Sequence, residues 1–172
     1  MAIPNRYSHP PHVIAGARTF FVTSSIAEKR KLLQSDRSAG LLLRVLYDYR
    51  AQQRYRLHEF VVMPDHFHLL ITVGSEISIE KAVQFIKGGF AFRAGKDLAF
   101  SAPVWQRGFS EVRVPDCETF KRFSEYIWSN PVQRHLVLEA AEFPHSSAHP
   151  GFELDPPPQG LKPIETRCQR HG

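Results

Sequence analysis

His66 and His68 stand one residue apart in the segment VVMPDHFHLLITV, residues 61–73. Side chains alternate faces along a strand, so both imidazoles point one way while Phe67 points the other. Two neutral imidazoles on one rigid face are a ready pair of ligands for a divalent ion. A three-ligand site would need another donor, and the sequence by itself leaves His58 or Glu59 open. Competing chemistries are weakened by what surrounds the pair. Position 70 is Leu70 rather than a third alternating histidine, and no His-Glu-x-x-His helix motif occurs. At 172 residues the chain is also short for a (β/α)8 metallohydrolase.

A second cluster lies in FKRFSEYIWSNPVQRHLV, residues 120–137. On a helix Phe120, Phe123 and Ile127 form a core-facing stripe, and Thr119, Arg122, Tyr126 and Asn130 form a polar stripe beside it. A tyrosine on a polar stripe need not be a core residue, although packing with a hydrogen-bonded hydroxyl is the ordinary role of a single tyrosine. Asn130, just before Pro131, is also suited to capping the end of the helix.

The elements that would position these residues follow from pattern. Residues 18–23, RTFFVT, have a strand profile after an irregular lead-in at 1–17. Residues 28–53 read as an amphipathic helix that Ser35–Gly40 could interrupt. Residues 56–63 and 66–73 are strand-like and separated only by Pro64 and Asp65, which predicts an antiparallel hairpin. A helix is expected from Ser78 to Leu98, with Gly88-Gly89 marking a bend or a close backbone approach. Residues 104–114 read as a strand. A last helix is expected from an Asp116 N-cap to Ser129, because Pro131 disfavours helical geometry in the residue before it. The order β-α-β-β-α-β-α predicts an α+β, ferredoxin-like (RRM-like) antiparallel sheet with packed helices. It occupies residues 1–143, followed by a Pro-rich, extended or loosely docked tail at 144–172.

Lys and Arg exceed Asp and Glu by five and the pI is about 9.4, a balance that favours a polyanionic partner. Residues 81–134 concentrate it, with nine Lys/Arg against five acids. Lys87, Arg93, Lys96, Arg107 and Arg113 lie there among Phe90, Phe92, Trp105 and Phe109. Cations interleaved with aromatics suit single-stranded nucleic acid, which offers phosphates to one and base faces to the other. Cys117 and Cys168 lack metal-site spacing and make neither a disulfide framework nor a zinc ribbon. The start has no apolar signal segment and no run approaches membrane-span length, so a cytoplasmic protein with no membrane association is expected.

Taken together, VVMPDHFHLL and the downstream YIxxNPV of Tyr126–Val132 resemble the single-tyrosine His-hydrophobe-His (HUH) transposases, and within them the REP-associated tyrosine transposases. Further matching segments are residues 17–23, 86–88, 104–106 and 136–137, so the likeness runs in order from about Gly16 to Ser147. The chain departs from the pattern at Glu111-Val112, where relatives often carry Asp-His, and after Asn130-Pro131-Val132, where an Ala-Gly is missing. The resemblance implies a metal-dependent transposase with His66 and His68 as metal ligands, Asn130 as third ligand (Gln133 the alternative) and Tyr126 as nucleophile. It implies Mg²⁺ or Mn²⁺ as cofactor, and single-stranded or hairpin DNA as the partner of a monomer or homodimer. A 5′-phosphotyrosine intermediate would store the cleaved linkage for rejoining. The other readings are a relaxase or replication-initiator nickase, which shares the histidine pair, and a domesticated nucleic-acid-binding domain that no longer cleaves.

Overall fold

The hydrophobic alternation of the central segments is what organises the chain. In the computed structural model, which describes residues 15–163, β1 (Arg18–Ser25), β2 (Arg56–Met63), β3 (His66–Val73) and β4 (Ser110–Arg113) form one sheet in the order β2-β3-β1-β4. Every neighbouring pair is antiparallel, and β2 and β3 meet across the Pro64-Asp65 turn with Met63 opposite His66. Helices α1 (Asp36–Ala51), α2 (Ile79–Asp97) and α3 (Cys117–Gln133) complete the expected α+β architecture.

Both faces of the sheet are covered, so β3 is buried along its whole length. Its alternation sorts residues between two cores. Phe67, Leu69, Ile71 and Val73 join Leu42, Leu46, Ile86 and Phe90 of α1 and α2 in the larger one. On the other face Leu70 packs with Phe21, Val61, Phe120 and Ile127 beneath α3. His66 and His68 share that second face by parity. Gly89 lets α1 and α2 approach: a Cβ there would come within 3.0 Å of the Tyr49 ring and 3.2 Å of Val45. Of the two expectations for the glycine pair, close approach is the one realised, and α2 runs on through it.

Four boundaries differ from expectation. The first helix begins only at Asp36, with the Ser35 side chain accepting from Ser38 N–H, and a short 3-10 turn occupies Ala27–Lys29. The strand expected over 104–114 is confined to Ser110–Arg113. Trp105 forms an isolated bridge to Ile26, and Gly108, at φ 78°, turns the chain between the two. Helix α3 does not end at Ser129 but continues through Pro131 to Gln133, so Asn130 is a buried helical residue rather than a cap. Its stop comes from His135 in the left-handed region (φ 58°), with Leu136 N–H donating to the Pro131 carbonyl at 2.9 Å. Finally, the described part of the Pro-rich segment is extended but not loose. Val62 N–H donates to His145 O, Ser147 N–H to Phe60 O and Asp155 N–H to Leu57 O, which seals the outer edge of β2.

Cys117 is disulfide-bonded, and the other cysteine of the chain, Cys168, lies outside the described residues, as does most of the lead-in. No helix among the described residues is long and apolar enough to cross a membrane.

Candidate active site

Strand β3 presents His66 and His68 with ring centroids 4.8 Å apart, both nearly buried at 9% and 5% exposure. Each ring is held through Nδ1. The His66 Nδ1 lies 2.6 Å from the Asp65 carboxylate, the turn residue just before it. The His68 Nδ1 lies 2.8 Å from the Thr23 hydroxyl, its register partner on β1. Donation from the His66 Nδ1 to the acceptor-only Asp65 carboxylate fixes that tautomer and leaves its Nε2 lone pair available to a ligand, the usual second-layer support of a metal-binding histidine, while the Thr23 hydroxyl orients the His68 ring. Burial, then the neighbouring His66 and the Arg134 charge, push the His68 pKa down to about 3, which keeps its ring neutral at physiological pH. Burial alone would raise the Asp65 carboxyl; the hydrogen bond and charge of His66 outweigh it and hold the group below its ordinary value.

Helix α3 brings the remaining groups. Asp116 caps it by accepting from Thr119 N–H at 2.7 Å, and Phe120 and Ile127 seat it on the sheet. Tyr126 lies on its flank, 43% exposed, with its ring edge-on to His68 at 5.3 Å and to Phe21 at 5.8 Å. One turn later Asn130 is 4% exposed, and its Oδ1 is buried without a hydrogen-bond partner. An unpaired buried acceptor costs about 1–3 kcal/mol, so its retention calls for an explanation. No group of three His, Cys, Asp or Glu that could hold a metal occurs among the described residues. Two imidazole Nε2 atoms and an orphaned amide oxygen are nonetheless a donor set that fits a borderline-to-hard divalent ion. Of the other candidates, His58 uses both ring nitrogens on Asp155 O and Thr72, and Glu59 accepts from Trp128 and Ser147. Gln133 is exposed and donates its amide N–H to Ser129, a bond that does not use its oxygen.

The cations singled out by composition are not gathered here. Lys87 donates to the carbonyls of Gln106 and Gly108, and burial lowers its pKa. Arg93 pairs with Asp48 at 2.7 Å, Lys96 lies over Phe92, and Arg113 over Phe20. Lys87, Arg93 and Lys96 sit on α2, across the sheet from the histidines, and Arg107 is exposed in the segment before β4. Of the aromatics among them Phe90 is core, while Phe92 is exposed. The cation that does bear on the site is Arg134, the exposed C-cap of α3, which falls on the Tyr126–Asn130 stripe at the next turn. Ending the helix at Ser129 conceals that spacing. Asp65 was legible as the neighbour of His66; Thr23 required the strand register.

Comparison with known proteins supplies the context for this geometry. A family model described as IS200-like transposase matches residues 20–130. The solved structure of a REP-associated tyrosine transposase bound to a REP hairpin is similar at 22% identity and a TM-score of 0.68, over 83% of this chain and 82% of that one. A crystal structure from Deinococcus radiodurans, provisionally described as a transposase, is similar at 22% identity and a TM-score of 0.51, over 69% of this chain and 95% of that one. Among curated proteins no sequence matches.

Proposed function

Because this chain belongs to the IS200-like transposase family, we propose that it cleaves and rejoins single-stranded or hairpin-bearing DNA with Tyr126 as nucleophile. The observation that carries this reading is the convergence of Tyr126, from α3, on the histidine pair of β3, at 5.3 Å between the Tyr126 and His68 rings. The similar REP-associated transposase is bound to a DNA hairpin, which supports the substrate class.

In this reading His66, His68 and the Asn130 amide oxygen would hold a divalent ion, Mg²⁺ or Mn²⁺. When bound, it supplies charge that polarises the scissile phosphate and stabilises the transition state. The chain's own groups do the rest. Asp65 keeps His66 in the ligating tautomer, and Thr23 orients the His68 ring. Phe21, stacked against Phe123 at 4.2 Å and edge-on to Tyr126, holds the nucleophile's ring beside the pair. Arg134 offers a guanidinium fork to phosphate oxygens. Attack by the Tyr126 oxygen forms the Oη–P bond as the P–O3′ bond breaks. The tyrosine proton passes to solvent, the leaving oxygen departs as a free 3′ hydroxyl, and the 5′ phosphate stays on the protein. Attack on that ester by a 3′ hydroxyl reverses the bookkeeping and rejoins a strand, with no nucleotide cofactor consumed.

The test is cleavage of an end-labelled oligonucleotide carrying a hairpin and a single-stranded flank, in Mg²⁺ or Mn²⁺. Wild type should give one discrete product, and Tyr126→Phe none. Equal cutting by both would refute the reading.

A further inference from the structure

Glu59 is wholly buried, carries a carboxylate, and has no part in the chemistry above. It owes its direction to a bulge. The β2–β3 register slips between Leu57 and Glu59, so two successive side chains face α3: His58 against the Phe120 ring at 5.4 Å, and Glu59 toward Trp128. The Trp128 indole N–H donates to Glu59 Oε2 at 2.9 Å. The Ser147 hydroxyl donates to the same oxygen at 2.5 Å while accepting from Phe60 N–H at 3.0 Å. Among the described residues, Trp128 to Glu59 is the one side-chain hydrogen bond that joins α3 to the sheet. Burying a carboxylate costs several kcal/mol before its partners compensate, and an apolar residue would fill the space more cheaply. What the apolar residue would lack is a directional hold on the helix.

Helix geometry shows what that hold controls. Successive residues turn by about 100°, so Trp128 lies about 200° around α3 from Tyr126, and Ile127, seated in the core, lies between them. The two rings thus flank the buried stripe on opposite sides. Apolar contacts along that stripe resist lifting of the helix far more than they resist its rolling about its own axis. A hydrogen bond on the Trp128 flank stops the roll. With side chains reaching about 5–6 Å from the axis, a roll of about 10° would carry the Tyr126 ring by about 1 Å. Misplacement on that scale costs on the order of 100-fold in rate.

We infer that Glu59 is a positioning residue: it sets the roll of α3 through Trp128, braced by Ser147, and so holds Tyr126 against the histidine pair. This rests on Tyr126 being the nucleophile, and the experiment separates the two. Single-turnover formation of the protein–DNA adduct is followed at saturating hairpin DNA, below the melting temperature of every variant. Trp128→Phe removes the donor, Glu59→Leu removes the acceptor, and Glu59→Gln keeps an acceptor oxygen for both donors. The first two should slow adduct formation 10- to 100-fold with DNA and Mn²⁺ affinities within threefold of wild type, and their double variant should be no slower than the slower single. Glu59→Gln should stay within threefold. A residue that merely stabilised the fold would lower the melting temperature and leave the rate per folded molecule alone. Should Glu59→Leu fail to fold, Trp128→Phe decides the matter. Wild-type rates in Trp128→Phe, or a Glu59→Gln as slow as Glu59→Leu, would overturn this inference while leaving the nucleophile intact. A wild-type protein that forms no adduct would overturn the nucleophile assignment and this inference with it.

Discussion

Replacing Asn130 by Ala should cost little without a divalent ion and markedly more with one. In metal-free protein the Asn130 oxygen is buried with no partner, a defect worth about 1–3 kcal/mol. The residue also sits inside α3, where Ala is favoured over Asn by up to about 0.7 kcal/mol. Against these stands the lost packing of a small buried side chain, on the order of 1–2 kcal/mol at a well-filled site. The terms nearly cancel or favour Ala, so metal-free Asn130→Ala should lie within about 1 kcal/mol of wild type or above it, whereas buried polar truncations ordinarily cost more. An ion bound by the native fold alone adds about 2.7 kcal/mol at a hundredfold excess over its Kd, and about 1.4 kcal/mol if affinity falls tenfold. For a chain of this size each kcal/mol is about 2–4 °C. Wild type should therefore gain about 5–11 °C on Mn²⁺ addition and Asn130→Ala about half of that, reversing or widening their order. Thermal melts with and without Mn²⁺, alongside Gln133→Ala as a control that should match wild type in both, make the comparison. A metal-free loss above 2 kcal/mol, or equal Mn²⁺ shifts in wild type and Asn130→Ala, would refute the reasoning.

Three other outcomes follow from the same geometry. His66→Ala or His68→Ala should abolish the heat of Mn²⁺ binding in calorimetric titration, a larger effect than Asn130→Ala because imidazole is the stronger donor; undiminished binding by both would remove the metal site. Asp155 is a buried partner of Arg50 at 2.9 and 3.0 Å and accepts from Leu57 N–H; burial opposes its ionisation, but the Arg50 hydrogen bond and those beside it hold its carboxyl below the ordinary value. Its stabilisation is then fully present above pH 4 or so, is lost as pH falls through the lower folded value, and is absent from Asp155→Ala, which should be about 3 kcal/mol less stable at neutral pH by chemical denaturation. Arg134→Ala should weaken hairpin DNA binding and reduce the slope of log affinity against log salt by about 0.7, the share of one phosphate on a single strand, whereas Lys87→Ala, whose ammonium is spent on Gln106 and Gly108 carbonyls, should leave that slope alone.

What could be read from the sequence divides along a physical line. The strand alternation that puts His66 and His68 on one face is local, and so is the i, i+4 spacing of Tyr126 and Asn130; both were legible. The antiparallel sheet and its β2–β3 pairing followed from element order and the two-residue hairpin. Register was not legible, because the pairing of Thr23 with His68 and the bulge that aims Glu59 depend on non-local hydrogen bonds. Proline disfavours helical geometry in the residue before it and so points to an end of α3 at Ser129, yet the helix continues through Pro131 and is terminated by the left-handed His135. The longer helix is what brings Arg134 onto the stripe of Tyr126 and Asn130. Composition registers the charges of Lys87, Arg93 and Lys96 but not their partners, and Lys87 and Arg93 are each engaged within the fold. The Pro-rich segment reads as a loose tail because its backbone hydrogen bonds to β2 leave little trace in residue type, and the side-chain ties of Ser147 and Asp155 to β2 depend on non-local placement.

The most direct test of the central claim is to map a covalent adduct. Wild-type protein incubated with hairpin-bearing single-stranded DNA and Mn²⁺ should yield a species that survives SDS, releases a free 3′ hydroxyl, and gives on proteolysis a single nucleotide-linked peptide containing Tyr126. Tyr126→Phe keeps the ring and its packing against Phe21 and His68 and should bind the same DNA without forming the adduct. An adduct on Tyr47, Tyr49 or Tyr55, or cleavage by Tyr126→Phe with no adduct at all, would contradict the account.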